Sequence, residues 1–417
     1  ICVCKNIICK IVFVINVNIW IFVLKLICFV IQCKKRFLRI VYMKKKKSWD
    51  KKWYTDEFLN ELKQTQYTEM CGSLPITVKY APDAVSPLGI DPRLLGGPMG
   101  KTAKSMRLLP EFVIKRIKIK FNEKMLSSFR TVCDKTSSAV CVRGGVDISD
   151  STVTADDGYE IPIRIYKNKN CSSENGCLYF MHGGAFIAGS MTPYDEAWKV
   201  FVEKFNMPVI SVEYRLMPEN PYPTLYNDCQ RVFEYIYDNA EMFGFDKSKI
   251  FVCGDSAGGN LAQYISTANK GNGRVRGQIL LYASLNPMGI EDEYFNKSIK
   301  NFKYEPSQKK LSRCITRQLE MMTDSFDSVF DISEPDIRLN PYSFAANSNP
   351  PTLISVGALD YLKIENIAWA RKLHDAGVPV KAVVYNGMGH GYLNAMGVFP
   401  QAEDVIDEIG DFIKKYS

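Results

Sequence analysis

Between Val252 and Asn260 the chain reads VCGDSAGGN, which sets Ser256 between Gly254 and Gly258. A serine hydroxyl becomes an acyl-transfer nucleophile when it is held at a very tight strand-to-helix turn, where a Cβ two residues before or after would clash. The flanks supply that context. KIFVCGD before the serine is apolar and β-rich, and AGGNLAQYISTAN after it spaces Leu261, Ile265 and Ala268 as a helix does. The chemistry also needs a base to take the serine proton and a carboxylate to orient that base.

Only three histidines are available: His182, His374 and His390. His390 lies in the glycine-rich turn YNGMGHGYL, directly after the strand-like run VPVKAVVYN, and is the best base. His374 closes a helix that ends at Gly377, the ordinary place for a partly exposed residue. His182 opens HGGAF after the strand CLYFM and is expected to shape that loop. The acid should fall between serine and base, at the C-terminal end of a strand. Asp360 does so, closing PPTLISVGALD 104 residues after Ser256 and 30 before His390. Asp331 and Asp336 belong to the polar loop DISEPDIRLNP, and Asp375 sits beside His374, so solvated surface accounts better for these three. Acyl transfer also needs donors for a developing oxyanion. The backbone N–H groups of Gly183, Gly184 and Ala257 are the candidates.

Five segments in order, HGGAF (182–186), YRLMPENPYP (214–223), GDSAGGN (254–260), PPTLISVGALDYL (350–362) and GMGHGY (387–392), resemble the hormone-sensitive-lipase-like family of α/β-hydrolases. That family includes bacterial acetyl esterases and arylacetamide deacetylases, and the similarity runs from about residue 150 to the C-terminus. The resemblance implies Ser256 as nucleophile, His390 as base, Asp360 as acid, and Gly183, Gly184 and Ala257 as the oxyanion hole. It implies hydrolysis of short acyl esters, acetyl first, through an acyl-enzyme, with no metal and no cofactor. An amidase or deacetylase using the same triad is the alternative, and a non-catalytic small-molecule receptor of the same fold is a third reading. One departure stands out. Where the family often carries a second acid four positions after the triad Asp, this chain has Ile364, followed by Glu365; altered loop packing is expected, not altered chemistry.

The elements that must position these residues alternate. Strand-like EIPIRIYK, CLYFMH, MPVISVEY, KIFVCG, GQILLYAS, PTLISVG and VKAVVYN are separated by helical segments such as DEAWKVFVEKF and CQRVFEYIYDNAEMF. This predicts an α/β fold with a mostly parallel sheet flanked by helices. The expected organisation is a cap-forming region over 43–150 and a catalytic domain over 151–417, interrupted by a cap insertion at about 286–345. Met321, Met322 and Phe326 could line an acyl pocket there, although such a stripe at helical spacing is more often core.

The net charge of +8 misleads. Residues 1–47 hold eleven Lys and Arg and no acid, leaving 42 basic and 45 acidic side chains for the rest. With no basic, aromatic-interleaved patch in the catalytic region, a nucleic-acid partner is not expected. The same 47 residues contain no Gly, Pro, Ala, Ser, Thr or His. Such a bias fits an untranslated, A/U-rich leader read in frame, with Met43 as the true start. The competing reading is a weak membrane anchor over Ile11–Ile31, interrupted by Asn16, Asn18 and Lys25, with Lys34, Lys35, Arg36, Arg39 and Lys44–Lys47 holding the catalytic domain in the cytosol. Both predict a cytoplasmic enzyme, and a membrane partner only if residues 1–42 are real. The eight cysteines beyond the leader show no metal spacing and are expected to be free thiols, Cys253 included. A small acyl ester is the expected partner, and self-association as a homodimer is left open.

Overall fold

The computed structural model describes residues 52–114, 117, 122–135, 137–323 and 336–417. The leader lies outside the described residues, as do Asp331 and Phe326.

Ten strands form one sheet: β1 (Gln66–Cys71), β2 (Leu74–Tyr80), β3 (Asp147–Thr154), β4 (Glu160–Lys167), β5 (Cys177–Met181), β6 (Val209–Val212), β7 (Ile250–Asp255), β8 (Gly277–Leu281), β9 (Thr352–Gly357) and β10 (Val380–Asn386). Their spatial order is β1-β2-β10-β9-β8-β7-β5-β6-β4-β3. From β2 to β6 every neighbouring pair is parallel; the antiparallel pairs β1/β2, β4/β6 and β3/β4 confine the other direction to the margins. Burial explains the residue types. Every residue of β5, β7, β8 and β9 is buried, so these strands read as continuous apolar runs. The edge strand β3 buries only Val153, and β1 buries nothing. Helices Ala257–Ala268, Lys363–Asp375 and Pro400–Tyr416 pack on the central strands.

The assignment of 43–150 to a cap is corrected at residues 66–80, which extend the catalytic sheet. A two-residue turn joins β1 to β2, and Gly72 at its first position takes φ +62°, a positive angle that hairpin turns of this kind use. β2 alternates as half-buried strands do: Leu74, Ile76 and Val78 face the core, and the strand pairs in parallel with β10. The helix Asp56–Gln64, also within 43–150, packs on Pro400–Tyr416.

A second apolar cluster sits apart from the main core. Leu94, Ala103 and Met106 from the N-terminal region meet Leu311, Cys314 and Ile315 of the helix Lys309–Thr323, with Leu359 at the base. The two segments fasten to each other and to the loops below them. Gln318 Nε2 donates to the Met99 carbonyl at 3.1 Å, and Thr316 Oγ1 donates to the Leu359 carbonyl at 3.0 Å. Met321 packs against this cluster and Met322 against the main core. From the helix Glu123–Cys133, Arg130 donates to the carbonyls of Ile187 (2.7 Å) and Met217 (3.0 Å). Among the described residues no helix is long and apolar enough to cross a membrane, and the eight cysteines are free.

Candidate active site

β7 ends at Asp255 and the helix Ala257–Ala268 begins one residue later, so the whole turn falls on Ser256. Its φ of +54° and ψ of −119° lie where a side chain is strained, at about 1–3 kcal/mol. The surroundings hold it there. Its N–H donates to the Leu281 carbonyl at 2.9 Å, and its own carbonyl accepts from Ser284 N–H at 2.9 Å, tying the turn to β8 and the loop after it. A Cβ on Gly254 would strike the Gly258 carbonyl, and one on Gly258 would strike the Met181 carbonyl at the end of β5. Both glycines are therefore needed for close approach of backbone.

Three of the sequence-predicted residues come together. His390 Nε2 lies 2.9 Å from Ser256 Oγ, and His390 Nδ1 lies 2.7 Å from Asp360 Oδ2. Asp360 is buried, and its other oxygen accepts the Leu362 N–H at 2.9 Å, so the carboxylate cannot turn away from the histidine. Burial opposes a charge on His390, but the Asp360 carboxylate outweighs it, through Coulomb attraction and a hydrogen bond, and holds the imidazole pKa above its ordinary 6.5. The His390 ring also rests on the edge of Tyr282, with centroids 4.9 Å apart. This is the geometry in which an imidazole can withdraw the serine proton while a carboxylate stabilises the resulting cation.

The other candidates lie elsewhere. His374 is half-buried in the last turn of Lys363–Asp375. His182 is buried, stacks on Tyr214 at 4.3 Å, and has Nδ1 2.9 Å from the Gly183 carbonyl, which fixes the shape of the HGGAF loop. Asp336 accepts from Arg338 N–H and Asp375 from Ser73 Oγ. Cys253 is buried within β7, and burial pushes its thiol pKa far up, as befits a packing residue.

The donor set needs a correction. Gly183 N–H is already spent on Asp255 Oδ1, at 2.7 Å, so it is not free for an oxyanion. Gly184 (φ +138°) and Ala185 (φ +57°) follow it, and their N–H groups have no acceptor among the described residues. Ala257 N–H, at the start of its helix, has none either. A Cβ on Gly184 would run into the Ala188 carbonyl, so the loop closes too tightly for any other residue there.

Sequence reasoning missed Ala185, Asp255 and Tyr282. Asp255 was in view beside the serine; buried, it takes the Gly183 N–H and, at 3.0 Å, the Tyr194 hydroxyl, and burial raises its pKa to about 6. Ala185 gave no signal, because the group that matters is a backbone N–H that nearly every residue has. At the departure after Asp360, Ile364 packs into the main core, while Glu365 is buried and accepts the Leu285 N–H at 2.7 Å; burial lifts its pKa to about 8. Among the described residues no cluster of three or more His, Cys, Asp or Glu could hold a metal ion.

Comparison with known proteins identifies the family of the fold. A family model described as the α/β-hydrolase fold matches residues 178–394. The chain is 25% identical over 281 residues to the ethyl acetate hydrolase of Pseudomonas putida, covering 64% of this chain and 83% of that one. It is 31% identical over 241 residues to the arylesterase of Saccharolobus solfataricus, covering 57% and 74%. Among solved structures, the Pyrobaculum calidifontis esterase superimposes with a TM-score of 0.58 at 24% identity, over 74% of this chain and 98% of that one, a likeness of fold.

Proposed function

We propose, from the premise that this chain belongs to the hormone-sensitive-lipase-like family of α/β-hydrolases, that it is a carboxylesterase cleaving short acyl esters through a covalent acyl-enzyme. The observation that carries the reading is the continuous relay from Ser256 Oγ through both nitrogens of His390 to Asp360, at 2.9 and 2.7 Å.

In this reading His390 Nε2 takes the Ser256 proton as Oγ attacks the ester carbonyl carbon. The tetrahedral oxyanion is met by the N–H groups of Gly184, Ala185 and Ala257, worth about 3–4 kcal/mol per donor in comparable sites. Collapse expels the alcohol, which leaves with the proton from His390. A water then gives its proton to His390 as it attacks the acyl-serine, and His390 returns that proton to Ser256 Oγ as the carboxylic acid is released. Asp360 stays ionised and stabilises the imidazolium that each half-reaction creates. A short acyl group, acetyl first, is supported by the relative named for ethyl acetate and by the roof. The cap residues Met99 and Ile315 press on Gly389, beside the base, where a Cβ would lie only 2.6 Å from Met99 Sδ. The cap would then exclude water and limit acyl length.

The test is hydrolysis of p-nitrophenyl esters from acetate to palmitate, by the protein and by its Ser256→Ala variant. The reading expects turnover highest for the short esters and lost in the variant. Equal, near-background rates from both proteins would overturn it.

A further inference from the structure

A cavity of about 400 Å³ opens between the β1–β2 hairpin, the end of β10 and the helix Lys363–Asp375, and neither Ser256 nor His390 lines it. One part of its wall is apolar, with Ile76 and Val78 from β2, Val384 from β10 and Ile367 from the helix. The other part carries charge.

Three cations reach this cavity: Lys303, Lys363 and Arg371. Lys303 is neutralised by an ion pair with Glu69, and the second lining carboxylate, Glu293, is exposed to solvent. Lys363 is different. Its ammonium lies 4.6 Å above the Phe302 ring, and among the described residues no carboxylate stands within ion-pair distance of it. Burial pushes its pKa down to about 8 despite the attraction of Glu69, the signature of a cation short of a counter-charge. Arg371 rests 5.0 Å over the Tyr294 ring, and it too has no ion-pair partner among the described residues. Two unanswered cations beside an apolar wall discriminate by chemistry. A cationic ligand is repelled, a neutral one leaves the half-buried Lys363 ammonium without a counter-charge, and an anion with an apolar tail satisfies both parts of the wall. The volume falls within the range of small-molecule sites.

We propose that this cavity is a second binding site, separate from the Ser256 centre, for a small monocarboxylate with an apolar tail, its carboxylate paired with Lys363 while Arg371 lends the same wall a second positive charge. Its position gives it a route to the catalytic loop. Lys363 N–H donates to the Asp360 carbonyl at 3.1 Å, so the residue that grips the ligand is joined to the residue that orients His390. Acids released from acyl chains of several carbons belong to this ligand class and acetate does not, so product feedback would be confined to the longer esters; that link alone rests on the esterase reading.

Calorimetric titration of the full-chain Ser256→Ala protein with hexanoate and with hexanol tests the site without turnover. Hexanoate is expected to bind about tenfold more tightly than hexanol. Adding Lys363→Met, which removes the charge, or Ile367→Trp, which fills the cavity, should each weaken hexanoate about tenfold, with melting temperature read alongside to confirm folding. Hexanoate binding that survives both substitutions, equal affinity for hexanol, or no binding at millimolar hexanoate would overturn the proposal. Ester turnover is measured separately on the protein that retains Ser256, so failure of the esterase reading and failure of this site give different results.

Discussion

Two buried carboxylates in this molecule, Asp404 and Asp360, each hold a basic side chain at the same distance and differ in what lies beyond it. Lys79 of β2 meets Asp404 at 2.7 Å and Glu408 at 2.6 Å, and Tyr385 donates to the same Asp404 oxygen at 2.6 Å. The Lys79 side chain is 4% exposed, and its contacts are all internal. His390 meets Asp360 at the same 2.7 Å, but its side chain is 16% exposed and its second nitrogen turns to the strained Ser256. The first pair is closed, and it welds the extra strand β2 to the C-terminal helix. The second is open at one end, so a proton taken there can be handed on. What separates structural charge from chemical charge is therefore the unsaturated end, not burial or distance.

That contrast is sharpest under mutation. Ser256→Ala or His390→Ala should cut ester turnover by about 10⁴–10⁶-fold while the melting curve stays within a few degrees of the parent's. Lys79→Met should do the reverse. It leaves Asp404 buried without its cation and Glu408 with Lys381 alone, a loss of about 3–5 kcal/mol in unfolding free energy, while turnover per folded molecule is kept. Chemical denaturation beside active-site titration reads both. Loss of turnover without loss of stability in Lys79→Met would break the distinction.

Gly258→Ala probes the elbow itself, where both kinds of demand meet. The added Cβ would strike the Met181 carbonyl, so β5 and the nucleophile helix must part. The expected result is a fall of several degrees in melting temperature together with a loss of turnover, since Ser256 moves relative to His390. Thermal scans and kcat on the same sample decide it; an unchanged kcat would show that the elbow tolerates the shift.

How much of this was legible in the chain follows from what each part needs. Chemistry fixes residue type: only three histidines were available, and a tight turn demands glycine, so Ser256, Asp360 and His390 could be picked out before their contacts were known. The hairpin β1–β2 could not. QYTEMC buries nothing, and in LPITVKY a proline and a lysine interrupt the apolar pattern. Lys79 reads as a solvent-facing strand residue until Asp404 and Glu408, more than 300 positions away, are brought to it. β3 is hidden for the same reason, since seven of its eight residues are exposed and polar composition there reads as loop. Gly183 was misassigned because sequence shows that a donor is present but not that Asp255 has already engaged it.

The pH profile tests the open pair from its charged side. In the proposed mechanism catalysis needs neutral His390, and Asp360 raises its pKa above 6.5, so kcat/KM should fall on the acid side through a value above 6.5. The sign for stability is opposite. A raised folded pKa means that protonation favours the fold, so this contribution is present below the unfolded value and lost as pH rises through the folded one. Asp360→Asn should move the acid limb to lower pH and lower the plateau; an acid limb that stays in place would show that Asp360 does not set the His390 charge.

The smallest expected effect belongs to Glu365, a buried carboxyl with no cation in contact among the described residues. It accepts the Leu285 N–H, and burial raises its pKa to about 8, so the fold prefers it protonated. Its stabilising contribution is complete below the unfolded carboxyl value of 4.5 and is lost as pH rises through about 8. Glu365→Gln keeps the acceptor and removes the titration. At pH 6 the two proteins should melt together; at pH 9.5 the Gln variant should melt higher, by a few degrees at most. Kinetics at pH 7 should barely change, because Glu365 holds the loop after β8 and does not touch Ser256 or His390. A Gln variant that melted lower at pH 9.5 would mean that the ionised carboxylate is wanted there, and that an answering charge exists at this second buried acid just as it does at Lys79.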